Sequence, residues 1–86
     1  MVTAFVLINV VAGREYRIMD KLFVLDAVKE LHFVPGDFDI LVRISVMRDW
    51  LTSDSEVIGE FVHSYIRKIP GVIRTQTLIP VASKRK

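Results

Sequence analysis

The apolar residues of this chain fall into six segments separated by polar or glycine-containing breaks. The first segment, residues 2–11, is β-branched or aliphatic on both faces, which predicts a strand at the centre of a sheet. After the break at Ala12-Gly13, apolar residues recur at helical spacing and predict a helix from residue 14 to about residue 24.

The middle of the chain predicts a β-hairpin. We expect strands over residues 27–34 and 38–47, with the turn signal Pro35-Gly36 between them. The four residues from Val34 to Asp37 suit a type II turn, because glycine occupies the position that needs a positive φ.

A second helix is predicted from its start signal and from its apolar stripe. Ser53 and Glu56 have the spacing of a capping box, and Pro70-Gly71 ends the helix. We expect seven residues to form the buried stripe: Val57, Ile58, Phe61, Val62, Tyr65, Ile66 and Ile69. Tyr65 lies on this stripe and is therefore expected to be buried.

The last strand, residues 72–81, is expected at an edge of the sheet, because Pro80 cannot donate a ladder hydrogen bond. A faint repeat relates the two halves of the chain at a constant offset of 44 residues: Leu22, Leu25 and Val28 match Ile66, Ile69 and Val72. The order βαββαβ predicts an α+β, ferredoxin-like fold with a four-stranded antiparallel sheet. The helices would cover one sheet face, so we expect dimerisation through the other face, as in a dimeric α+β barrel.

Length and composition also indicate an oligomer. The chain has 86 residues, of which 51% are hydrophobic. A domain this short buries only about 60% of the surface that its unfolded chain exposes, so further apolar surface is available to a partner. The absence of cysteine excludes disulfides, thiolate metal sites and a cysteine nucleophile.

The positive charge is concentrated at the C-terminus. The net charge is +2, from 12 basic and 10 acidic residues, and three of the basic ones are in the tail. We therefore divide the chain into one domain, residues 1–81, and a basic tail, residues 82–86. The domain itself is not basic, which argues against a nucleic-acid groove. No apolar run reaches the about 18 residues of a membrane span, and we expect a cytoplasmic protein.

Asp37 and Asp39 are the main candidates for chemistry. In an extended chain, residues two apart point the same way, so both carboxylates would lie on one side of the hairpin end. Turn chemistry accounts for Asp37 but not for Asp39, an acid at the start of an apolar strand. A ligand role and a structural role both remain open. Two acids are too few for a metal site, and no nucleophile accompanies them as a catalytic pair.

Other polar residues carry weaker indications. His32 and His63 are far apart in the sequence, which disfavours a metal or acid–base role. Trp50 is expected to anchor its loop or to contact a neighbouring subunit. Thr75 and Thr77 share one face of the last strand, where they are either strand formers or hydroxyl donors to a ligand.

Two segments together resemble a known family. These are Gly36-Asp37-Phe38-Asp39 followed by an aliphatic strand, and Ile69-Pro70-Gly71-Val72 followed by Thr75-Gln76-Thr77. They are similar to the effector-binding (RAM) domain of the Lrp/AsnC transcription regulators, over residues 2–81. The resemblance implies a ferredoxin-like fold that pairs sheet to sheet into dimers, with dimers joining into rings, commonly octamers.

The resemblance also implies a ligand and its site. A small effector, usually an amino acid, would bind in a cleft between dimers, without a cofactor or a metal. The matching positions here are Gly36, Asp37, Phe38, Asp39, Thr75 and Thr77. Carboxylates can accept from an α-ammonium group, and amides and hydroxyls can donate to an α-carboxylate. Phe38 replaces the family's frequent tyrosine, so the hydrogen bond of that hydroxyl is lost.

This chain starts directly at the first strand, so it resembles the stand-alone form without a helix-turn-helix domain. The resemblance then implies a non-enzymatic module without sequence-specific DNA binding. Such a chain could pair with full-length regulators, sense an amino acid itself or be an excised fragment, and the sequence leaves these three open. Two alternatives remain. One is a small cofactor-independent monooxygenase-like enzyme, with Trp50 and His63 as its only suggestive residues. The other is a hetero-oligomer partner that binds no ligand.

Overall fold

A computed structural model describes residues 1–86 and has the predicted βαββαβ order. Its strands are β1 (Val2–Val10), β2 (Val28–Phe33), β3 (Ile40–Val46) and β4 (Val72–Leu78). Its helices are α1 (Glu15–Phe23) and α2 (Asp54–Phe61), and a π-helical turn, Val62–Ile66, continues α2. The elements begin and end within about three residues of the predicted limits.

The four strands form one antiparallel sheet in the order β2-β3-β1-β4. The ferredoxin-like fold class is therefore confirmed, with β1 central and β4 at an edge. One of the two hydrogen bonds of the predicted capping box is confirmed, since the hydroxyl of Ser53 accepts a hydrogen bond from the Glu56 N–H at 3.3 Å.

The internal repeat corresponds to two identical helix-to-strand junctions. After α1, the N–H of Leu25 donates to the carbonyl of Leu22, and the N–H of Val28 donates to that of Leu25. After the π-helical turn, Ile69 and Val72 donate in the same way to Ile66 and Ile69. The repeated apolar residues thus mark the same local turn in both halves of the domain.

The core lies between the sheet and the helices. It contains 14 buried residues, all of them apolar, and alternate residues of β1 and β3 contribute eight of these. The opposite alternation, which includes Phe5, Leu7 and Leu41, forms the outer face of the sheet and is only partly buried. One sheet face is therefore left uncovered in the protomer, as the fold predicted.

The prediction that Tyr65 is buried is wrong, because this side chain is 55% exposed. The buried stripe of the second helix is narrower than expected and consists of Ile58, Val62 and Ile66, which are four residues apart. The Arg67 N–H donates to the Val62 carbonyl five residues earlier, so the last turn is wider than an α-helical one. Tyr65 lies outside the stripe and packs its ring against Phe61, with a centroid distance of 5.1 Å.

Candidate functional site

The connection between β2 and β3, residues 34–39, contains the four loop residues predicted to bind a ligand. The predicted type II turn over residues 34–37 is not formed. Instead, the Val34 N–H donates to the Asp39 carbonyl at 2.8 Å, which closes a wider loop. Gly36 has a φ of +152°, a value that residues with a side chain rarely adopt, so glycine is still required there. The strand consequently starts at Ile40 rather than at Phe38.

Asp39 has a structural partner that local sequence reasoning could not reveal. Its Oδ2 accepts a hydrogen bond from the Val10 N–H at 2.9 Å, and its own N–H donates to the Ile8 carbonyl. The pairing of β1 with β3 ends at Ile8 and Ile40, the first residue of β3. The Val10 amide therefore finds no backbone carbonyl of β3 to accept its hydrogen bond. The partly buried carboxylate of Asp39 therefore extends the hydrogen bonding between the two strands by one bond. Asp37, in contrast, is exposed.

Two residues that sequence reasoning missed connect the loop to β1 and β4. Asn9 donates from Nδ2 to the carbonyl of Asp37 at 2.8 Å, and its Oδ1 accepts from Nε of Arg74 at 3.2 Å. The guanidinium carbon of Arg74 lies over the Phe38 ring, 4.8 Å from its centroid. Asn9 and Arg74 are a register pair of β1 and β4, so only the strand pairing brings them to the loop.

A negatively charged acceptor and a positively charged donor without hydrogen-bond partners remain at this end of the sheet. The carboxylate of Asp37 accepts no hydrogen bond and forms no ion pair within the protomer. The terminal nitrogens of Arg74 donate to no acceptor, because only Nε is used. An aromatic ring and Asn9 fix the guanidinium in place, and its two outer donors can form a bidentate contact with a carboxylate.

Thr75 and Thr77 lie farther from the loop than the other candidates. They pair with Ile8 and Val6, so they belong to the helix-facing side of β4, and β1 separates them from β3. Thr75 is about two strand spacings, or about 10 Å, from Ile40 in the same row. The threonines therefore do not contact the loop directly, and β4 reaches it through Arg74.

A small cleft of about 300 Å³ lies beside β4 and is lined by Arg67, Val72, Ile73, Arg74 and Thr75. Loop residues 36–39 line none of the four principal clefts of the protomer. The loop candidates thus lie on an open surface of the protomer, outside its clefts.

The structure also places the residues of the alternative interpretations. His63 is exposed, and Trp50 is fully exposed and anchors nothing within its own protomer. The core between sheet and helices is filled by apolar side chains. No group of three or more potential metal-ligating side chains is present.

The open sheet face carries one charged cluster. Glu30 and Arg43 are opposite each other on β2 and β3, and the Arg43 Nε donates to the Glu30 carboxylate. His32 lies 3.5 Å from the other oxygen of the same carboxylate. The hydrogen bond from Arg43 is the main reason that the pKa of Glu30 is below its ordinary value.

No helix of the structure combines the length and apolarity that crossing a membrane requires.

Comparison with known proteins identifies relatives among transcription regulators. The HTH-type transcriptional regulator FL11 of Pyrococcus abyssi is 31% identical over 83 residues, which cover 96% of this chain and 50% of that protein. The chain therefore spans about half the length of the curated relatives it matches.

Solved structures share the fold. The crystal structure of FFRP-DM1 matches with a TM-score of 0.79 and 36% identity, covering 94% of this chain and 100% of that one. A complex of the regulator NMB0573 from Neisseria meningitidis with L-Met has a TM-score of 0.78, covering 99% of this chain and 53% of that one. Its identity is 15%, so this second likeness shows the fold alone.

The family model described as the Lrp/AsnC ligand binding domain matches residues 3–85 of this chain. The match includes both motifs on which the resemblance was based. This chain belongs to the Lrp/AsnC ligand-binding domain family.

Proposed function

We propose that this domain is a non-enzymatic regulatory module that binds an amino acid and assembles into a closed oligomer. The observation that carries the proposal is the pair of unsatisfied groups at one end of the sheet, the carboxylate of Asp37 and the terminal nitrogens of Arg74. Groups of opposite charge at one site suit a zwitterion, whose ammonium and carboxylate are both charged near neutral pH.

The two charges of the ligand would have different partners. The exposed carboxylate of Asp37 accepts from the α-ammonium group. Arg74, held over Phe38, donates to the α-carboxylate, with the Gly36 amide as a further donor. Thr75 lines the same cleft as Arg74 from the helix-facing side of β4, and its hydroxyl would donate to a part of the ligand that extends along this strand. Thr77 lies one step farther along the same side of β4 and contributes to the outer part of the site. Asp39 supports the loop through Oδ2, which accepts from the Val10 N–H, and its Oδ1 can still accept from the ligand.

Assembly completes the site and accounts for the open sheet face. By register, Leu7 lies beside Leu41, and Phe5 lies beside the 45% exposed Leu78, so a contiguous apolar patch crosses β3, β1 and β4. Packing two such faces together removes this patch from water and forms a dimer. Dimers then join into a higher oligomer, an octamer in the arrangement that the family resemblance implies, and the effector binds between them.

The domain would act in transcriptional or metabolic regulation, through an effector-dependent change of assembly or through pairing with full-length regulators of the family. A relative supports this role, because FL11, which is 31% identical, is a transcriptional regulator. The identity of the effector for this chain depends on side chains that a neighbouring protomer contributes.

A binding experiment tests the site. A thermal-shift screen of the twenty amino acids identifies the ligand, because a compound that binds only the folded state raises the melting temperature. Calorimetric titration of that amino acid is then compared for the wild type and Asp37→Asn. We expect the variant to bind at least about tenfold more weakly, since a hydrogen bond to a charged group contributes about 1.5–3 kcal/mol.

Asp20→Asn is the matched control, because Asp20 is an exposed carboxylate of α1 with no bonded partner. It should bind the amino acid as the wild type does. Equal affinity of all three proteins would show that Asp37 is not part of the site. A screen without any stabilising amino acid would instead favour a hetero-oligomer partner that binds no ligand.

The assembly has its own test. Leu7→Lys places a charge in the middle of the open face and should reduce the mass of the assembly measured by sedimentation. Ser55→Lys, an exposed change on α2, should leave the mass unchanged. An unchanged mass for Leu7→Lys would exclude the sheet face as the dimer contact.

A further inference from the structure

The cleft of about 300 Å³ beside β4 has two arginines and no carboxylate in its lining, which is formed by Arg67, Val72, Ile73, Arg74 and Thr75. Arg67 is the residue that follows the π-helical turn, whereas Arg74 belongs to β4 itself. Two different elements thus bring their guanidinium groups to one small cleft. The positive charge of this cleft is not balanced by any side chain that lines it.

Both guanidinium groups keep donors without partners. The side chain of Arg67 forms no hydrogen bond and no ion pair within the protomer. Arg74 uses only its Nε, which donates to Asn9. A guanidinium is charged at every physiological pH, and its paired N–H groups match the two oxygens of a carboxylate. The cleft can therefore bind two carboxylates, one on each arginine.

The free edge of β4 adds uncharged donors to the same cleft. The backbone groups of Ile8 are directed toward the side of β3, since the Ile8 carbonyl accepts from the Asp39 N–H. Thr75 is the register partner of Ile8, so its own amide points away from β1 and toward the open edge of the sheet. The N–H and the hydroxyl of Thr75 can both donate to an anion.

Arg74 is common to this cleft and to the proposed amino-acid site. The loop that carries Asp37 contacts β1 through Asn9, whereas the cleft lies along β4 and includes no loop residue. Arg74 therefore stands between the Asp37 carboxylate and the Arg67 guanidinium. A ligand that places its ammonium group on Asp37 and its α-carboxylate on Arg74 can extend its side chain into the cleft toward Arg67.

We propose that the effector is an acidic amino acid, aspartate or glutamate, whose side-chain carboxylate binds Arg67. This inference rests on the proposed amino-acid site and adds the charge of the ligand side chain to it. A ligand with a single carboxylate neutralises one of the two guanidinium groups, whereas an acidic amino acid neutralises both. A basic side chain would instead add a third positive charge to the cleft. Side chains of the neighbouring protomer then select between the two acids.

Pairs of amino acids that differ in side-chain charge test the proposal on the wild-type chain of 86 residues. Glutamate and glutamine, like aspartate and asparagine, have nearly the same size and the same α-groups, but the second of each pair has an uncharged amide. Calorimetric titration at pH 7 should show that at least one acid binds about tenfold or more tightly than its own amide. This preference should decrease as the salt concentration rises, because salt screens exposed charges.

A variant of Arg67 tests the assigned partner. Arg67→Gln should lower the affinity for the preferred acid to that for its amide, while the affinity for the amide stays as in the wild type. Lys68→Gln is the matched control, because Lys68 is the neighbouring exposed cation, lies outside the cleft lining and loses the same charge. This control should keep the full preference for the acid.

Three results would overturn the inference and leave the proposed function intact. The first is a neutral or basic amino acid that binds more tightly than either acid. The second is a preference for the acid that persists in Arg67→Gln. The third is an equal loss of that preference in Lys68→Gln, which would assign it to overall charge rather than to Arg67. If none of the twenty amino acids binds, the proposed function fails together with this inference.

Discussion

The carboxylate of Asp39 accepts a hydrogen bond from the Val10 N–H at 2.9 Å, across 29 residues of sequence. This bond ties the loop before β3 to the end of β1, and it satisfies an amide that the shorter neighbouring strand leaves without a carbonyl partner. The second acid of the Gly36–Asp39 segment is therefore part of the sheet, whereas the first is free.

The two acids should differ in their effect on stability. Asp39→Ala leaves the Val10 amide without its acceptor and should lower the free energy of unfolding by about 1–3 kcal/mol. Asp37→Ala removes a carboxylate without a partner and should change it by less than about 0.5 kcal/mol. Urea titrations at one protein concentration measure both. Equal losses would contradict the structural role of Asp39.

Glu30 should give the domain a stability that depends on pH. Its folded-state pKa is lowered, chiefly by the hydrogen bond and charge of Arg43 and to a lesser degree by His32. A lowered pKa stabilises the fold above the unfolded value of about 4.3, and this contribution is lost as the pH falls through the folded-state pKa. The melting temperature of the wild type should therefore fall further between pH 6 and pH 3 than that of Glu30→Gln.

Glu60→Gln is the control for that experiment, because Glu60 is an exposed acid of α2 without an ion-pair partner. Its melting temperature should follow that of the wild type across the same range of pH. Parallel curves for Glu30→Gln and the wild type would show that the ion pair with Arg43 does not contribute to stability in solution.

Gly71 should not tolerate a side chain. Its φ is +100°, and an added Cβ would lie 3.0 Å from Cδ1 of Ile18 and 3.2 Å from Cδ of Arg14. Gly71→Ala should lower the free energy of unfolding by about 1–3 kcal/mol. Gly59→Ala, within α2 and facing open space, should instead be neutral or stabilise by up to about 1 kcal/mol. A similar response of both variants to denaturant would contradict this account.

Much of the fold follows from local signals in the sequence. Ser53 marks the start of α2, and the repeated apolar triplet marks two equivalent junctions. The edge position of β4 is also as predicted, although Pro80, on which that prediction was based, lies beyond the last residue of the strand. An ideal helical period extended through residues 62–66 predicts that Tyr65 lies in the core. The π-helical turn changes that period, and the apolar pattern contains no signal for it.

The candidate site was only partly predictable. The motif Gly36-Asp37-Phe38-Asp39 identified the loop, but not the different environments of its two acids. Asn9 and Arg74 reach the loop through the register of β1 with β4, a relationship between residues 65 positions apart. Such contacts follow from tertiary pairing rather than from neighbouring sequence.

The central claim is that the free carboxylate of Asp37 and the guanidinium of Arg74 together recognise a zwitterion. The most direct measurement is a calorimetric titration of the wild type with the stabilising amino acid, with its amide, which lacks the carboxylate, and with the analogue that lacks the amino group. We predict that each analogue binds at least about tenfold more weakly than the amino acid, since each loses one charged partner. Equal affinities for the three compounds, or no binding of the amino acid, would contradict the claim.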